Sequence, residues 1–452
     1  MQTTDDIFQK QLHAYTITHA IEDRNVLRFH IDYFKAEGEK KRKSGALAQK
    51  AVVEGILDKH DRATSGRKFN ALLATSSIAD SIEYYKLFKD SQAERLKQDE
   101  NFIPLNVTCV FSPPVPEGSK DKNAEDIKQL QGDLPQESSE YTIQANENAA
   151  AKKKEIERKK KALEAIIADY NGQYGSNHSI SQFDAYYQDV QKRIKDHQYP
   201  NKDFPREQKI DVVIVVDMLL TGFDSKFLNT LYVDKNLKHH GLIQAFSRTN
   251  RILNDTKPYG NVLDFRGQQD AVDAAIALFS GEHAERSKQI WLVDSAPKVV
   301  EKYQEAVEAM GFFMADQGVV AEPQGVYNLK GDAARIQFIN QFKEVQRLKT
   351  QLDQYTDLDE VQKEQIEKIL PQDDLLALRS SYLETAQRLK AKQDKAKGED
   401  KPDPVEELDF EFVLFASAVI DYDYIMKLIP KFSGQDPMKT KISREQLIGL
   451  IQ

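Results

Sequence analysis

IDVVIVVDMLLTGFDSKFLNTLYVDKNLKHHGLIQAFSRTNRIL, residues 210–253, is the stretch of sequence that decides the fold. It contains a short apolar run, residues 212–216, and a second, mostly apolar run, residues 228–233, and an aspartate follows each run directly. Continuous β-branched runs of this length predict central strands of a parallel sheet that is covered on both faces. The turn at 221–224 follows the first run, and open α/β sheets place their ligand contacts in turns at the carboxyl ends of strands.

The end of this stretch, residues 242–253, has the spacing of an amphipathic helix. At about 100° per residue the apolar side chains share one face, while Gln244, Arg248 and Arg251 cluster on the opposite face. An ordinary surface helix with exposed arginines is the plainer interpretation of this segment taken alone. Two guanidiniums on a rigid element are also suited to gripping phosphate oxygens, because each is a planar and permanently charged fork.

The order of these parts resembles motifs V and VI of superfamily 2 helicases and translocases. Thr-Gly-Phe-Asp at 221–224 and Gln-Ala-Phe-Ser-Arg-Thr-Asn-Arg at 244–251 are most similar to the R, or motor, subunit of type I restriction–modification enzymes, in particular the IC subclass. The resemblance extends weakly over most of the chain. Ser247 stands where many helicases have Gly, which leaves both arginines in place. We therefore expect the C-terminal portion of such a subunit, beginning just after its first RecA-like domain.

Composition restricts the class of protein further. The 452 residues carry a net charge of −9, so any nucleic-acid contact must come from local basic patches on an acidic background. The single cysteine, Cys109, excludes an internal disulfide and is typical of a reducing compartment. No apolar stretch approaches about 18 residues, and the N-terminus lacks the apolar core of a signal peptide. We expect a cytoplasmic protein that has no contact with a membrane.

Strand-like segments near residues 70, 107, 212, 230 and 262 are mostly separated by helical patterns. This alternation predicts an α/β fold with a parallel sheet and helices on both faces, which matches a RecA-like motor domain. The predicted organisation is a linker from the missing first motor domain (1–35), the second RecA-like helicase domain (36–290) and an all-helical domain (291–452). A polar, apolar-poor segment at about 113–147 predicts a mobile charged insertion within the second of these.

Hydroxyl side chains near predicted strand ends are candidates for DNA contact. Thr75 and Ser76 lie at a strand-to-helix junction, where hydroxyls first serve as helix caps and where free backbone N–H groups also suit phosphate. The position resembles helicase motif IV, which implies contact with the DNA backbone. Ser112 ends the strand near 107, and Thr221 belongs to the motif V turn. The basic run at 152–161 is interpreted first as a solvated helix face and second as part of a DNA track.

The mechanism that the resemblance implies is a composite ATP site between two RecA-like domains. The sequence contains no Gly-x-x-x-x-Gly-Lys-[Ser/Thr] loop and no acidic pair after an apolar strand, so ATP and Mg²⁺ would be held only together with the first motor domain. Arg248 and Arg251 would act as arginine fingers, and Gln244 would position the nucleotide or the attacking water. Gly222 and Asp224, with Thr221, would contact the nucleotide site and couple its state to DNA.

The resemblance implies double-stranded DNA and the methyltransferase subunits, for modification and specificity, as partners. No residue is predicted to bind a metal ion by itself. Two other functions stay open from the sequence. One is a non-catalytic DNA-binding or docking module on a RecA-like scaffold, and the other is a remodelling or repair motor of superfamily 2.

Overall fold

Strands and helices alternate along the first part of the computed structural model, which describes residues 15–35, 48–113, 149–195, 206–279 and 286–396. The strands are β1 (Phe29–Tyr33), β2 (Asn70–Thr75), β3 (Val107–Val110), β4 (Val212–Val215), β5 (Leu228–Asp234) and β6 (Gly260–Asp264). The predicted insertion at about 113–147 lies almost wholly outside the described residues, and the C-terminal part of the predicted helical domain, 397–452, lies wholly outside them.

The helices follow the same order along the chain. They are α1 (Ile17–Glu22), α2 (Gln49–Ala63), α3 (Ile78–Gln98), α4 (Ala149–Tyr174), α5 (Phe183–Ile194), α6 (His239–Phe246), α7 (Gln269–Phe279), α8 (Ser287–Trp291), α9 (Ala296–Asp316), α10 (Asp332–Asp353), α11 (Glu360–Ile369) and α12 (Gln372–Ala396). Short 3-10 turns occupy Ile180–Gln182, Arg206–Gln208 and Pro323–Asn328. Among these described helices, none combines the length and the apolar character that crossing a bilayer requires.

Within the described ranges the six strands form one sheet in the order β1-β6-β5-β2-β4-β3, and every pairing is parallel. Strands β2, β4, β5 and β6 are buried along their whole length, as expected for apolar runs covered on both faces. Ala71 faces Val212 of β4 on one side and Thr230 of β5 on the other. The predicted α/β class with a parallel sheet is confirmed.

One edge strand was not predicted. Residues 29–33 fall in the expected linker, but they form β1, which pairs with β6 from Phe29 against Gly260 to Tyr33 against Asp264. These five residues include charged and aromatic side chains and lack a clear alternating pattern. They form a strand because they pair with β6, more than 200 residues away in the sequence. Residues 29–33 of the predicted linker therefore form part of the sheet.

The chain divides into two compact units. The first takes in the described residues up to Glu305 together with Val345–Ile366, and the second takes in Ala306–Glu344 and the described residues from Glu367 onward. The first unit therefore extends past the predicted boundary at residue 290 and also takes in a later segment. The reason is a set of long-range polar contacts inside the first unit, where Thr356 donates to Asp32 (2.7 Å) and His30 lies 3.1 Å from Asp357.

All the regular secondary structure in the described residues of the second unit is helical. Its core contains the stacked rings of Phe338 and Phe342, with centroids 5.9 Å apart, and the ring of Tyr382 lies 5.2 Å from Phe342. The hydroxyl of Ser381 on α12 donates to the carbonyl of Pro323 (3.0 Å), which ties that helix to the preceding 3-10 turn. Phe338 and Phe342 are four residues apart and therefore share one face of α10.

Candidate functional site

The helix that carries Gln244 is shorter than predicted. Helix α6 ends at Phe246, and Ser247 is its C-cap, so the predicted helix over 242–253 is wrong beyond this point. The reason is that Thr249 donates both its N–H (2.9 Å) and its hydroxyl (2.8 Å) to the carbonyl of Phe246. Such local bonds offer the backbone an alternative to the helix, and the side chain of Thr249 is fully buried.

Arg248 and Arg251 nevertheless lie together, because both converge on the turn that contains Phe223 and Asp224. The guanidinium of Arg248 donates to the carbonyl of Phe223 and, through Nε, to the carbonyl of Gln244 at 3.0 Å. Nε of Arg251 lies 2.8 Å from Oδ1 of Asp224. The structure therefore unites the predicted motif V turn and the predicted motif VI arginines through tertiary contacts and not through one helix face.

The charges at this site are unbalanced. Burial and the positive charge of Arg251 lower the pKa of Arg248, and the carboxylate of Asp224 opposes that shift. Two guanidiniums thus share one nearby carboxylate. The side chains of Arg251 and Asp224 are 41% and 67% exposed, so an incoming anion would have access to this pair. We refer to Gln244, Arg248, Arg251 and Asp224 as the arginine site.

Gln244 and Gly222, two other predicted site residues, are both exposed beside the arginines. The side chain of Gln244 is exposed on α6, next to the arginines. Gly222 has a φ of +68°, a left-handed conformation that L side chains adopt at a cost. Glycine at this position therefore allows the sharp turn that brings Phe223 and Asp224 to Arg248 and Arg251.

Residues 216–227, which we call the crossing loop, connect the carboxyl end of β4 to the amino end of β5. Near its start, Nζ of Lys235 donates to the carbonyl of Val216 (3.1 Å), next to the carboxyl end of β5. At its end, the carbonyl of Phe227 accepts from the N–H of Asn70, the first residue of β2 (2.9 Å). Because all strands are parallel, the loop runs from the carboxyl edge of the sheet to the amino edge. The arginine site contacts its second half.

Three of the candidate DNA residues, Thr75, Ser76 and Ser112, lie at or near the carboxyl edge. Ser76 is half-buried, and its hydroxyl donates to the carbonyl of Asp234 (3.1 Å) and accepts from Arg266 (2.8 Å). Ser112 is half-buried and donates to the sulfur of Met218 in the crossing loop (3.7 Å). Thr221 is partly exposed within the same loop.

Thr75 differs from Ser76, Ser112 and Thr221 because it is fully buried. Its hydroxyl lies 2.6 Å from that of Ser81 and donates to the carbonyl of Val215 (3.1 Å), which joins β2 to β4 and to helix α3. The cap of α3 is Ser77, whose hydroxyl accepts from the N–H of Asp80 (3.1 Å). The predicted capping at this strand-to-helix junction is therefore present, and Ser77 provides it.

Sequence analysis missed three cations around the crossing loop. Arg266 follows β6 and bonds through Nε to the buried carboxylate of Asp234 (2.7 Å), and Lys235 follows β5 directly. Their positions after strands could have indicated them, as the positions of the hydroxyls did. Lys257 is 1% exposed and donates to the carbonyls of Lys226 (2.8 Å) and Leu228 (2.9 Å). No local pattern marks a lysine as buried.

Two family models match the chain. A model described as type I restriction enzyme subunit R domain 3 matches residues 67–267, and one described as type I restriction and modification enzyme, subunit R C terminal, matches residues 291–452. Together they cover both the sheet and the helical part of the chain.

Curated relatives agree with these models. The type I restriction enzyme SauCOLORF180P endonuclease subunit of Staphylococcus aureus (strain COL) is 28% identical over 468 residues, covering 99% of this chain and 43% of the relative. The SsaAORF53P endonuclease subunit of Staphylococcus saprophyticus is 29% identical over 463 residues, with the same two coverages, 99% and 43%. The chain thus spans less than half the length of these relatives.

A solved fragment assigned to the HsdR subunit of a type I restriction enzyme from Vibrio vulnificus YJ016 also matches. It covers 62% of this chain and 39% of its own, with 11% identity and a TM-score of 0.34. A likeness at that level supports no argument about function.

Proposed function

The chain belongs to the R subunits of type I restriction enzymes, and from this premise we propose that it forms part of an ATP-dependent translocase of double-stranded DNA. Its contribution is the arginine half of a composite ATP site together with contacts to the DNA backbone. The observation that carries the proposal is the convergence of Arg248 and Arg251 on the turn at Asp224. In this proposal, other parts of the subunit hold the phosphate cradle and the nuclease centre.

The donor set of the arginine site suits a polyphosphate. Guanidiniums bind phosphate oxygens through paired N–H groups, and arginine fingers are worth about 10³–10⁵ in the rate of phosphoryl transfer. ATP with Mg²⁺ would supply the phosphoanhydride whose hydrolysis drives the motor. Arg251 would exchange the carboxylate of Asp224 for a phosphate oxygen, because both anions compete for the same N–H groups. Gln244, exposed beside them, would orient the nucleotide or the attacking water.

The crossing loop supports a coupling role for Thr221, Gly222 and Asp224. Its first residues contact Lys235 and Ser112 at the carboxyl edge, and its second half contacts Arg248 and Arg251. A change at the arginine site can therefore displace the edge that carries the candidate DNA residues. We propose that Ser76, Ser112 and Thr221 contact the DNA backbone, whereas the buried hydroxyl of Thr75 stabilises the packing of β2 against β4 and α3.

The partners proposed for the whole subunit are double-stranded DNA and the methyltransferase subunits for modification and specificity. Family membership supports this, since the model that matches residues 291–452 is described as part of a restriction and modification enzyme. We propose that the helical part helps to dock the motor onto those subunits.

The test is ATP hydrolysis by the complete subunit with Arg248→Ala or Arg251→Ala, measured with and without double-stranded DNA. We expect DNA-stimulated hydrolysis to fall by about 10³ or more while the Kd for DNA rises less than about tenfold. Arg388→Ala is the control, because this exposed arginine forms an ion pair with Glu384 of its own helix. Equal losses of hydrolysis and DNA binding would make Arg248 and Arg251 DNA ligands. A complete subunit that hydrolyses no ATP would instead favour a non-catalytic scaffold.

A further inference from the structure

We propose that Lys235 and Lys257 are positioning residues that anchor the two ends of the crossing loop, so that the arginine site and the DNA-facing edge move as one body. The inference rests on the proposed function and adds to it the side chains that transmit the coupling. Neither lysine belongs to the motifs that the sequence indicated.

Lys257 anchors the end of the loop. Its amine reaches from the segment after Arg251 to the carbonyls of Lys226 and Leu228, at 2.8 and 2.9 Å. The side chain is 1% exposed, and burying an amine is unfavourable unless its N–H groups are satisfied. These two hydrogen bonds join the segment that follows Arg251 to the segment that follows Asp224. The ion pair between those two residues is thus backed by a second, buried link.

Lys235 anchors the start of the loop. Its amine donates to the carbonyl of Val216 (3.1 Å) and to the carboxylate of Asp217, and its side chain is only 14% exposed. Lys235 is itself held in place, because its own carbonyl accepts from the amide of Gln268 at 3.0 Å. A displacement of the loop at Val216 must therefore move the carboxyl end of β5, where Ser76 and Arg266 lie against Asp234.

The loop between the two anchors is packed and strained. Leu219, Leu220 and Phe223 are buried, and the backbone of Leu219 adopts a φ of +67°. A leucine in the left-handed region costs of order 1–3 kcal/mol, and such a conformation persists only where the surroundings fix it. A packed segment with fixed ends moves as a unit instead of absorbing a shift by local bending. Without the anchors, we expect the loop to relax and the two sites to act independently.

The experiment compares Lys235→Met and Lys257→Met in the complete subunit. The readout is the ratio of ATP hydrolysis with saturating double-stranded DNA to hydrolysis without DNA. Loss of folded protein lowers both rates equally and leaves this ratio unchanged, so the ratio separates positioning from stability. We expect the ratio to fall at least fivefold in each variant, with unstimulated hydrolysis per folded molecule within about twofold of wild type. Lys226→Met is the matched control, because this lysine of the same loop is exposed and Lys257 binds its main-chain carbonyl, which the substitution retains.

One further variant, Lys235→Arg, tests whether the donor to the loop is what matters. Lys235→Arg retains a donor to Val216 and should restore most of the DNA stimulation that Lys235→Met loses. If Lys257→Met fails to fold, Lys235→Met decides alone. A wild-type ratio in Lys235→Met would overturn the inference even where Arg248→Ala has lost hydrolysis. If Arg248→Ala retains hydrolysis, the proposed function itself fails, and this outcome is distinct from failure of the anchors.

Discussion

Nε of Arg251 lies 2.8 Å from Oδ1 of Asp224, and this ion pair joins the motif VI segment to the motif V turn across 27 residues of sequence. The same carboxylate offsets the repulsion between Arg251 and Arg248, whose pKa burial and Arg251 both lower. Asp224 therefore competes with any anion for the guanidinium of Arg251. The first prediction follows from that competition.

Asp224→Asn should strengthen nucleotide binding in the complete subunit. Exposed ion pairs are worth about 0–1 kcal/mol, so release of Arg251 should lower the KM for ATP by up to about fivefold. The free energy of unfolding should change by less than about 1 kcal/mol for the same reason. Steady-state kinetics and urea denaturation measure the two effects. Asp255→Asn is the control, because Asp255 is exposed in the segment after Arg251. A raised KM would instead make Asp224 a direct contributor to nucleotide binding.

Gly260→Ala should disturb the arginine site, because Gly260 begins β6 and packs against Thr249 in the turn after α6. A Cβ at this position would lie 3.0 Å from the carbonyl carbon of Thr249 and would overlap the hydroxyl of that residue. The turn that carries Arg248 would have to shift, so we expect a loss of about 1–3 kcal/mol in stability and a lower kcat for ATP. Gly241→Ala in α6 is the control, since a Cβ there meets no atom within 4 Å and should slightly stabilise the helix. Equal effects in the two variants would contradict this explanation.

Thr75→Val and Ser76→Ala should separate stability from DNA binding. The hydroxyl of Thr75 is buried with partners on β4 and α3, so its removal should cost about 1–2 kcal/mol in stability and leave the Kd for DNA unchanged. Ser76 is half-buried, and we expect Ser76→Ala to weaken DNA binding severalfold with little loss of stability. Thermal melting and fluorescence anisotropy with a DNA duplex measure the two quantities. Unchanged DNA affinity in Ser76→Ala would remove this residue from the proposed interface.

Lys257 should make stability depend on pH above neutrality. Burial, chiefly, and the nearby Arg251 lower the pKa of Lys257 to about 7, while Asp224 opposes the shift. The unfolded chain keeps an ordinary lysine pKa near 10.4, so between about pH 7 and 10 it binds more protons than the folded protein does. The contribution of this group to stability is therefore complete above the unfolded pKa and is lost as the pH falls through the folded pKa.

The corresponding measurement is urea denaturation of the wild type and of Lys257→Met at pH 7, 8 and 9. The free energy of unfolding of the wild type should rise relative to the variant, by up to about 1.4 kcal/mol per pH unit for one proton. Unpaired carbonyls in the variant add a pH-independent offset and do not affect this difference in slope. Parallel pH profiles would show that Lys257 stays charged in the folded protein.

The sequence by itself determined the class of fold and the identity of the candidate chemistry. Apolar runs such as residues 212–216 indicate strands buried on both faces, and their alternation with helical patterns indicates a parallel sheet covered by helices. The spacing of Gln244, Arg248 and Arg251 likewise indicated a phosphate-binding group, although their helix ends at Phe246.

Only the tertiary structure decided how these residues meet. The strand order places β1 beside β6, and it sends the crossing loop from the hydroxyl-bearing edge to the arginine site. Arg248 and Arg251 come together because buried Thr249 ends helix α6 and turns the backbone. Arg248 then donates to the carbonyl of Phe223, and Arg251 pairs with the carboxylate of Asp224. Lys257 is buried because two carbonyls on a distant segment satisfy it. Such contacts join residues far apart in the chain, and no local periodicity can encode them.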